Sequence, residues 1–340
     1  MNDWFKHAKY GMMIHFGLYS VLEGQYKGQP AGRYSEWIQS KYQIPLKEME
    51  EIAKSFNPSK FNAEKIVKFA ISVGMKYLVI TTKHHEGFCL FDSKVDNFNS
   101  KKMSICHRDL IKEVSDACHK YGLKLGFYYS QDLDWHERHG GGYLTNFKEN
   151  NPWWDNGTTF DNSWDFKRED GKDFDIYFKK KVVPQVTELM TNYGEISTIW
   201  FDVPETINIE QSKELRDIVK KYQPNCLINS RIGNGLHDYI ALGDNEVPDD
   251  LNSSFDNQCA ESMKQRKVDL YESACTLNDT WGYSSLDFNY KSSQDIYRIK
   301  NKLNKLGINY LVNVGPNHLG IIPKESIKIL KEVKKLIDKE

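Results

Sequence analysis

The sequence lacks the features that mark several large classes of protein. No apolar run approaches the roughly 20 residues that cross a bilayer. The N-terminal segment has no basic region followed by an apolar region, so no signal peptide is expected. The 46 Lys and Arg residues are balanced by 47 Asp and Glu residues, whereas a nucleic-acid-binding protein usually carries a basic excess on one face. We therefore expect neither a membrane nor a nucleic-acid partner.

Short cysteine, glycine and histidine motifs are missing as well. The 6 cysteines are scattered without a CxxC pair or a zinc-finger spacing, which favours reduced, buried thiols and a cytoplasmic protein. No GxGxxG or GxxxxGKS/T motif follows a strand-like run, so the usual nucleotide signatures are absent. The chain also has no HxH or HExxH motif. We expect no metal and no cofactor.

The chain instead shows short apolar runs that alternate with amphipathic helical stretches. Strand-like runs occupy residues 11–17, 77–82, 124–130, 197–203, 226–231 and 308–315. Helical periodicity covers residues 63–74, 108–122, 174–194, 212–222 and 296–307 and begins again at 325, with a kink expected at Pro184. This alternation predicts a parallel sheet. A doubly wound sheet would normally carry a nucleotide signature, so we favour one α/β domain over 1–340 with a (β/α)8, TIM-like barrel.

Five successive strand-like runs end in residues with hydrogen-bonding side chains. These ends are His15, Lys83 to Glu86, Tyr128 to Ser130, Asp202 and Arg231. A single polar residue at a strand end is usually a hydrogen-bonding cap. In a (β/α)8 barrel, however, the C-terminal ends of the strands meet at the face that carries the active site. Five such ends in succession predict a shared pocket.

Asp202 is the sharpest single candidate in this set. It follows the apolar residues Ile199, Trp200 and Phe201, so its carboxylate requires hydrogen bonds or a cation if it is buried. Arg231 on the next strand is a natural donor. The pair is either a structural ion pair or a nucleophile that its surroundings hold ionised.

The adjacent residues His84 and His85 have two interpretations. Together with His15 they would supply imidazole ligands to a metal ion. Neighbouring strand residues point to opposite faces, however, so both histidines reach one ion only if the strand has already ended. Imidazoles that hydrogen-bond the hydroxyl groups of a sugar fit the pattern better.

Carboxylates, histidines and aromatic residues at a barrel mouth are typical of a glycoside hydrolase. The chain has 8 Trp and 19 Tyr residues, which suit a protein that stacks flat apolar faces against a ligand. Glycoside hydrolysis requires two carboxyl groups, about 5–5.5 Å apart when configuration is retained. Asp202 is the first of them. The candidates for the second are Glu246, Glu272 and Glu36, which have apolar or aromatic neighbours.

The chain resembles the α-L-fucosidases of glycoside hydrolase family 29, and the matching motifs run in order from one end to the other. They include YGMMIHFG at 10–17, EW at 36–37, KHHEGF at 83–88, GFYYS at 126–130, WFD at 200–202, NSR at 229–231, WGY at 281–283 and NYLVNVGP at 309–316. The KHHEGF and NYLVNVGP motifs are specific, and a chance match to the whole set is implausible.

The resemblance implies a (β/α)8-like barrel, often with irregular or missing helices, and an exo-hydrolase that removes terminal α-L-fucose with retention. The substrate would be a fucosylated oligosaccharide or glycoconjugate, with the linkage left open by the sequence. Asp202 matches the family's nucleophile. The family's sugar-binding positions fall on His15, Glu36, Trp37, His84, His85, Tyr128, Trp200 and Arg231. The C-terminal β-sandwich common in the family is not expected here.

The chain departs from the family pattern at two places. Val203 follows the nucleophile where glycine is frequent, and it is expected to narrow the floor of the site. The general acid/base lies in a variable loop, where Glu246 is favoured over Glu272. Two other functions remain open: a fucose-binding barrel without catalysis, and a metal-dependent barrel hydrolase, which chelation would inactivate.

Overall fold

A computed structural model describes residues 3–144, 158–250 and 270–339. In these ranges the main sheet has eight parallel strands, which we label in chain order. They are β1 (Tyr10–Ile14), β2 (Tyr77–Lys83), β3 (Lys124–Tyr129), β4 (Thr198–Phe201), β5 (Leu227–Ile228), β6 (Ile240–Ala241), β7 (Tyr271–Thr276) and β8 (Ile308–Val314). Strands β6 and β7 are additions to the predicted set.

The strands follow one another around the sheet in chain order, and the sheet closes on itself. Strand β8 pairs in parallel with β1, with Tyr10 opposite Tyr310. Strand β1 pairs with β2, with Met12 opposite Leu78. Where β5 meets β6, a parallel bridge joins Asn229 to Tyr239. The (β/α)8-like barrel predicted from the sequence is therefore confirmed.

Helices cover the outside of the barrel, and some of them are irregular, as the family resemblance implies. The α-helices in the described ranges are Asp3–Ala8, Tyr19–Leu22, Ile38–Tyr42, Leu46–Ser55, Ala63–Ser72, Leu110–Tyr121, Phe174–Tyr177, Val183–Asn192, Ile209–Tyr222, Ser293–Lys305 and Lys324–Ile337. Between β5 and β6 the chain makes only the 3-10 turn Ser230–Ile232. A short hairpin, Gln25–Tyr26 with Gln29–Pro30, lies outside the barrel sheet.

The kink predicted at Pro184 takes the form of a wide helical turn. The helix that begins at Phe174 passes through a π-helical segment, Phe178–Val182, before it continues as Val183–Asn192. Proline has no N–H to donate to the preceding turn, and π-helical turns accommodate such interruptions. The break therefore has a local cause in the sequence.

The barrel strands appear in the sequence as continuous apolar runs because both of their faces are buried. All seven residues of β2 are buried, because helices pack on its outer face and the barrel interior fills its inner face. Met13, Tyr128 and Trp200 are part of the cluster inside the barrel. The described cysteines (Cys89, Cys106, Cys118, Cys226 and Cys275) are free thiols, and Cys259 lies outside the described residues. Among the helices of the described ranges, none has the length and apolar character needed to traverse a bilayer.

Candidate active site

A cavity of about 130 Å³ opens at the C-terminal ends of the strands. It is small among ligand pockets, which suits a single small ligand. The residues that line it are Met13, His15, Tyr34, Glu36, Trp37, His84, Tyr128, Trp200, Asp202, Val203, Arg231, Asp244 and Trp281. Most of the residues that sequence analysis assigned to the site therefore meet at one cavity.

Asp202 lies directly after β4 and is 8% exposed. One carboxylate oxygen, Oδ1, accepts a hydrogen bond from Arg231 Nη1 at 2.8 Å. The other, Oδ2, accepts from the hydroxyl of Tyr128 at 2.8 Å. The guanidinium contact is a charge-assisted hydrogen bond, which is short and strongly directional. The Asp202 carboxylate is thus held in one orientation at the wall of the cavity.

An aromatic column orients the groups around this carboxylate. The Arg231 guanidinium carbon lies 4.6 Å from the ring centroid of Trp200. Trp200 stacks on Tyr128 with centroids 5.7 Å apart, and Tyr128 stacks on His84 at 5.2 Å. Cation–π and stacking contacts restrict the rotamers of these side chains. The donors to Asp202 are therefore set in place by their packing.

His15 is a neutral hydrogen-bond acceptor toward the cavity. Its Nδ1 lies 2.7 Å from Asn313 Oδ1, and Asn313 Nδ2 donates to the carbonyl of Trp281. This orientation of the amide assigns the ring proton to Nδ1 and leaves Nε2 with a lone pair. Burial, followed by the charge of His84, lowers the pKa of His15 to about 3. The ring is therefore uncharged at ordinary pH.

The His84 and His85 rings lie side by side, because β2 ends at Lys83 and the alternation of a strand no longer applies. Their centroids are 4.1 Å apart. His84 borders the cavity, whereas His85 lies behind it, with Nδ1 2.7 Å from Ser130 Oγ. His85 Nε2 is 3.9 Å from Asp202 Oδ2. Burial and the neighbouring His84 lower the pKa of His85 well below its ordinary value.

Glu36 and Trp37 reach the cavity from the 3-10 turn Ser35–Trp37. The Glu36 carboxylate is buried and accepts a hydrogen bond from the backbone N–H of Gly282 at 2.9 Å. Burial raises the pKa of Glu36. Trp37 packs edge-on to His85, with ring centroids 4.8 Å apart. The first β–α loop thus supplies one polar and one apolar wall.

Beside Asp202 and Glu36, a third carboxylate borders the cavity, that of Asp244, which sequence analysis missed. Asp244 Oδ1 accepts from Arg231 Nη2 at 2.6 Å, so the same guanidinium contacts Asp202 and Asp244. Glu246, the favoured candidate, is buried and accepts a hydrogen bond from the N–H of Gly243 at 2.7 Å. Glu246 is not among the described residues that line the cavity. The signal available in the sequence is the acidic loop 243–246, in which the glutamate and the aspartate are equally plausible from local pattern alone.

Glu272, the other candidate, lies inside the barrel on β7. Its carboxylate accepts hydrogen bonds from the Tyr77 hydroxyl at 2.6 Å and from Trp200 Nε1 at 2.9 Å. Burial raises the pKa of Glu272 to about 7. Within the described part of the chain, Glu272 does not border the cavity either. Its contact with Trp200 places it beneath the aromatic column.

Tyr34 and Val203 also line the cavity, and both have positive φ angles, 61° and 49°. Backbone of this kind is strained for a bulky or β-branched residue and is often found at functional sites. The positive φ at Val203 is a conformation that glycine adopts without steric cost, which agrees with the glycine that the family resemblance implies at this position. Burial, and then the charge of Asp244, raise the pKa of Tyr34 to about 12.

The described residues contain no group of three or more His, Cys, Asp or Glu side chains arranged to hold a metal ion. The His15, His84 and His85 rings share one wall of the site, but His15 Nδ1 faces Asn313 and His85 Nδ1 faces Ser130. Their chemistry fits hydrogen bonding to hydroxyl groups.

Comparison with known proteins connects this site to one family. The family model described as alpha-L-fucosidase matches residues 1–340. The chain is 25% identical to the human tissue alpha-L-fucosidase over 338 residues, which cover 94% of this chain and 64% of that protein. It is 26% identical to the rat enzyme over 343 residues, with 94% and 64% covered. The chain thus spans about 64% of the length of these curated relatives.

Solved structures cover the chain more evenly. The alpha-L-fucosidase AlfC from Lactobacillus casei, in complex with α-L-fucose product, superposes with a TM-score of 0.90. The two chains are 51% identical, with 99% of this chain and 98% of that one covered. The alpha-L-fucosidase of Vibrio sp. strain EJY3 superposes with a TM-score of 0.85 at 30% identity, with 99% of this chain and 54% of that one covered. The chain belongs to the alpha-L-fucosidase family.

Proposed function

We propose that the protein is a retaining exo-α-L-fucosidase, which hydrolyses terminal α-L-fucose through a covalent fucosyl-enzyme on Asp202. The observation that carries this proposal is the Asp202 carboxylate, oriented by Arg231 and Tyr128 at the wall of a cavity for one small ligand. A carboxylate that is oriented in this way suits nucleophilic attack on an anomeric carbon.

Asp244 is the partner carboxyl in this mechanism. In the first step, Asp202 forms a bond to the anomeric carbon while Asp244 protonates the departing glycosidic oxygen. In the second step, Asp244 takes a proton from water, whose oxygen displaces Asp202 and releases fucose. One guanidinium contacts both carboxylates, which is compatible with the separation of about 5–5.5 Å that retention requires.

The other cavity residues match the chemistry of a single sugar. His15 offers a lone pair and Glu36 offers carboxylate oxygens to hydroxyl groups. Trp37, Trp281 and Val203 supply apolar surface, which the C5 methyl group of fucose requires. The small volume restricts the cavity to one terminal unit, and this supports exo action.

The substrate is a fucosylated glycoside. Variants of AlfC, about 50% identical to this chain, were solved with Fucα(1,6)GlcNAc and with 4-nitrophenyl α-L-fucopyranoside. These two compounds are therefore the first to assay, one as a glycan fragment and one as an activated substrate.

The test is hydrolysis of 4-nitrophenyl α-L-fucoside by the purified chain and by Asp202→Gly. We expect the variant to lose several orders of magnitude in turnover, and azide to restore part of it as the β-fucosyl azide. Asp238→Gly is the matched control, since Asp238 also pairs with an arginine, Arg216, but precedes β6 at the opposite end of the barrel. A loss of only about 10-fold in Asp202→Gly would contradict the assignment. Fucose binding without turnover would indicate a binding protein, and inactivation by chelation a metal-dependent hydrolase.

A further inference from the structure

The side chain of Gln131 joins the two loops that carry the acid–arginine pair. Gln131 is fully buried just after β3. Its Oε1 accepts a hydrogen bond from the backbone N–H of Asp202 at 2.8 Å, and its Nε2 donates to the backbone carbonyl of Arg231 at 2.9 Å. One amide therefore fixes the main chain of both residues by two bonds, while the side chains of Asp202 and Arg231 contact each other.

The next residue, Asp132, holds the far end of the same turn. Its Oδ2 accepts hydrogen bonds from the backbone N–H groups of Thr206 at 2.6 Å and Ile207 at 2.8 Å. Consecutive side chains at the end of β3 thus contact the start and the end of the segment 202–207. On the β4 side, the Asn229 amide bonds both the N–H and the carbonyl of Phe201 at 2.9 Å.

Between these contacts lies Val203, whose φ of 49° is unfavourable for a β-branched residue. A strained residue persists only where its surroundings determine the backbone more strongly than its own preference does. If the hydrogen bond from the Asp202 N–H to the Gln131 side chain were lost, Val203 would relax toward a negative φ. That rotation would turn the preceding carboxylate away from Arg231 and Tyr128.

We propose that Gln131 is a positioning residue, which holds the strained turn after β4 and so aims the Asp202 carboxylate at the reacting carbon. The proposal rests on the function proposed above, in which Asp202 is the nucleophile. Asp132 assists from the other end of the turn. Because nucleophilic attack tolerates little displacement, a shift of about 1 Å is expected to cost about 100-fold in rate.

The first experiment replaces Gln131 by methionine, which has a similar length and no hydrogen-bonding amide. We expect Gln131→Met to lower kcat on 4-nitrophenyl α-L-fucoside by about 100-fold, with KM within about threefold because the sugar-contacting side chains are unchanged. The matched control is Gln185→Met. Gln185 is also fully buried and bonded at both ends of its amide, to Tyr129 and Ser93, but it lies outside the cavity. We expect the control to lower Tm comparably while kcat stays within about threefold.

The second experiment adds Val203→Gly to Gln131→Met. Glycine adopts a positive φ without steric cost. The turn is then unstrained at position 203, so it keeps its conformation even without the hydrogen bonds of Gln131. We expect the double variant to recover about 10-fold in kcat over Gln131→Met, whereas a merely structural role for Gln131 predicts a further loss. Should Gln131→Met not fold, the same pair is made with Gln131→Glu, which keeps the oxygen facing Asp202 and loses the donor to Arg231. For Gln131→Glu we expect kcat to fall by about 10-fold, and we expect kcat to recover when Val203→Gly is added.

Three results would overturn the proposal: kcat of Gln131→Met within threefold of the parent, an equal kcat loss in Gln185→Met, or no recovery with Val203→Gly. For the glutamate pair, an unchanged kcat or no recovery has the same meaning. Asp202→Gly, assayed alongside, separates this failure from that of the proposed function. If Asp202→Gly is inactive while Gln131→Met is unimpaired, only the positioning role falls. If Asp202→Gly keeps its activity, the nucleophile assignment falls first.

Discussion

Two carboxylates that lie two residues apart, Asp244 and Glu246, have different surroundings in one turn. Asp244 contacts Arg231 at the cavity, whereas Glu246 caps the N–H of Gly243. Asn245 between them has a φ of 59°, and its side-chain oxygen accepts from the N–H of Thr276 at 2.8 Å. The carbonyl of Glu246 accepts a hydrogen bond from Ser273 Oγ. The turn is therefore fastened to β7 through Asn245 and Glu246, and it presents Asp244 to the site.

This arrangement gives a residue-scale prediction for the general acid/base. Asp244→Ala should impair hydrolysis of Fucα(1,6)GlcNAc far more than that of a dinitrophenyl fucoside, because a weakly basic phenolate departs without a proton. Azide should accelerate the variant and give the α-fucosyl azide, which product analysis distinguishes from the β product of Asp202→Gly.

Glu246→Ala and Glu272→Ala are the controls for this prediction. We expect both to weaken the two substrates more evenly, as the loss of a turn contact or of a buried support would. If the leaving-group dependence and the α-azide product appear in Glu246→Ala alone, the assignment to Asp244 is wrong and the choice made from the sequence is right.

Glu272 gives a prediction for the pH dependence of stability. Burial raises its folded-state pKa to about 7 from the ordinary value of 4.5. The folded state therefore binds more protons than the unfolded state between these values, and the free energy of unfolding falls as pH rises from about 4.5 to 7. Glu272→Gln removes this titration, so its stability should decline less than that of the parent over the same interval. The difference is up to about 3 kcal/mol, and urea unfolding at pH 5 and pH 8 measures it. Equal declines would contradict the buried-carboxyl account.

At the scale of elements, most apolar strands were predictable, whereas the two-residue strand β6 and strand β7, which contains polar residues, were not. Strands β1 to β4 and β8 follow from runs of buried apolar residues. Strand β7 escaped prediction because Glu272 and Ser273 interrupt its apolar character, and both are fully buried there by hydrogen bonds. Strand β5 is shorter than predicted because the Asn229 side chain, rather than the main chain, makes the bonds to Phe201. A side chain that replaces main-chain hydrogen bonds of the sheet in this way depends on tertiary contacts, and no local sequence pattern encodes them.

An ion network joins the end of β2 to the π-helical turn. Lys83 Nζ lies 3.0 Å and Lys181 Nζ 3.1 Å from Asp134 Oδ2, with all three side chains buried. Burial alone would raise the pKa of Asp134, but the charges of Lys181 and Lys83 lower it below its ordinary value. The network anchors Lys83, and the next residue is His84 at the cavity.

Asp134→Asn should therefore destabilise the protein by about 3–5 kcal/mol, because it leaves buried lysine charge without its partner. Lys181 Nζ still has Asp96 Oδ2 at 2.9 Å as an ionic partner. The residue left without a charged partner is therefore mainly Lys83. Urea unfolding at pH 7 measures the change. Glu51→Gln serves as control, since Glu51 pairs with Lys54 at the exposed surface and no measurable shift is expected. A loss below about 1 kcal/mol in Asp134→Asn would mean that the network contributes little.

At the scale of the whole molecule, the barrel brings together residues from the first and last thirds of the chain. The sequence motifs at the strand ends predicted that these residues meet at one site. His15, Tyr128 and Asp202 were predictable because each follows an apolar strand. Asp244 and Gln131 were not, since one lies in a loop rather than at the end of a predicted strand and the other acts on backbone atoms. The cytoplasmic location inferred from the scattered cysteines stays a prediction.

The ring of strands is not equally strong around its circumference. Strand β8 pairs with β1 over five residues and with β7 over six. Strand β5 pairs with β4 over two residues. The β5–β6 junction has one ladder pair, Asn229 with Tyr239, and is also held by hydrogen bonds that involve the side chains of Ser230 and Asp238. Local opening requires less free energy where fewer hydrogen bonds and contacts must break. The β5–β6 junction has the fewest strand-ladder pairs, so we take it as the weak seam of the barrel, and Arg231 lies within it.

This seam gives the last prediction, tested by native-state amide hydrogen exchange. Residues 227–241 should exchange faster than 308–314, because their strands are shorter. Fucose at saturating concentration should slow exchange at 227–241 more than at 308–314, since Arg231 and Asp244 border the cavity on the seam side and a ligand stabilises the closed state that binds it. The control is amide hydrogen exchange of the Asp202→Gly variant in the presence of fucose, because this variant does not turn over. Equal protection of the two segments would contradict the weak seam, and uniform slowing by fucose would show that the ligand stabilises the barrel as one unit.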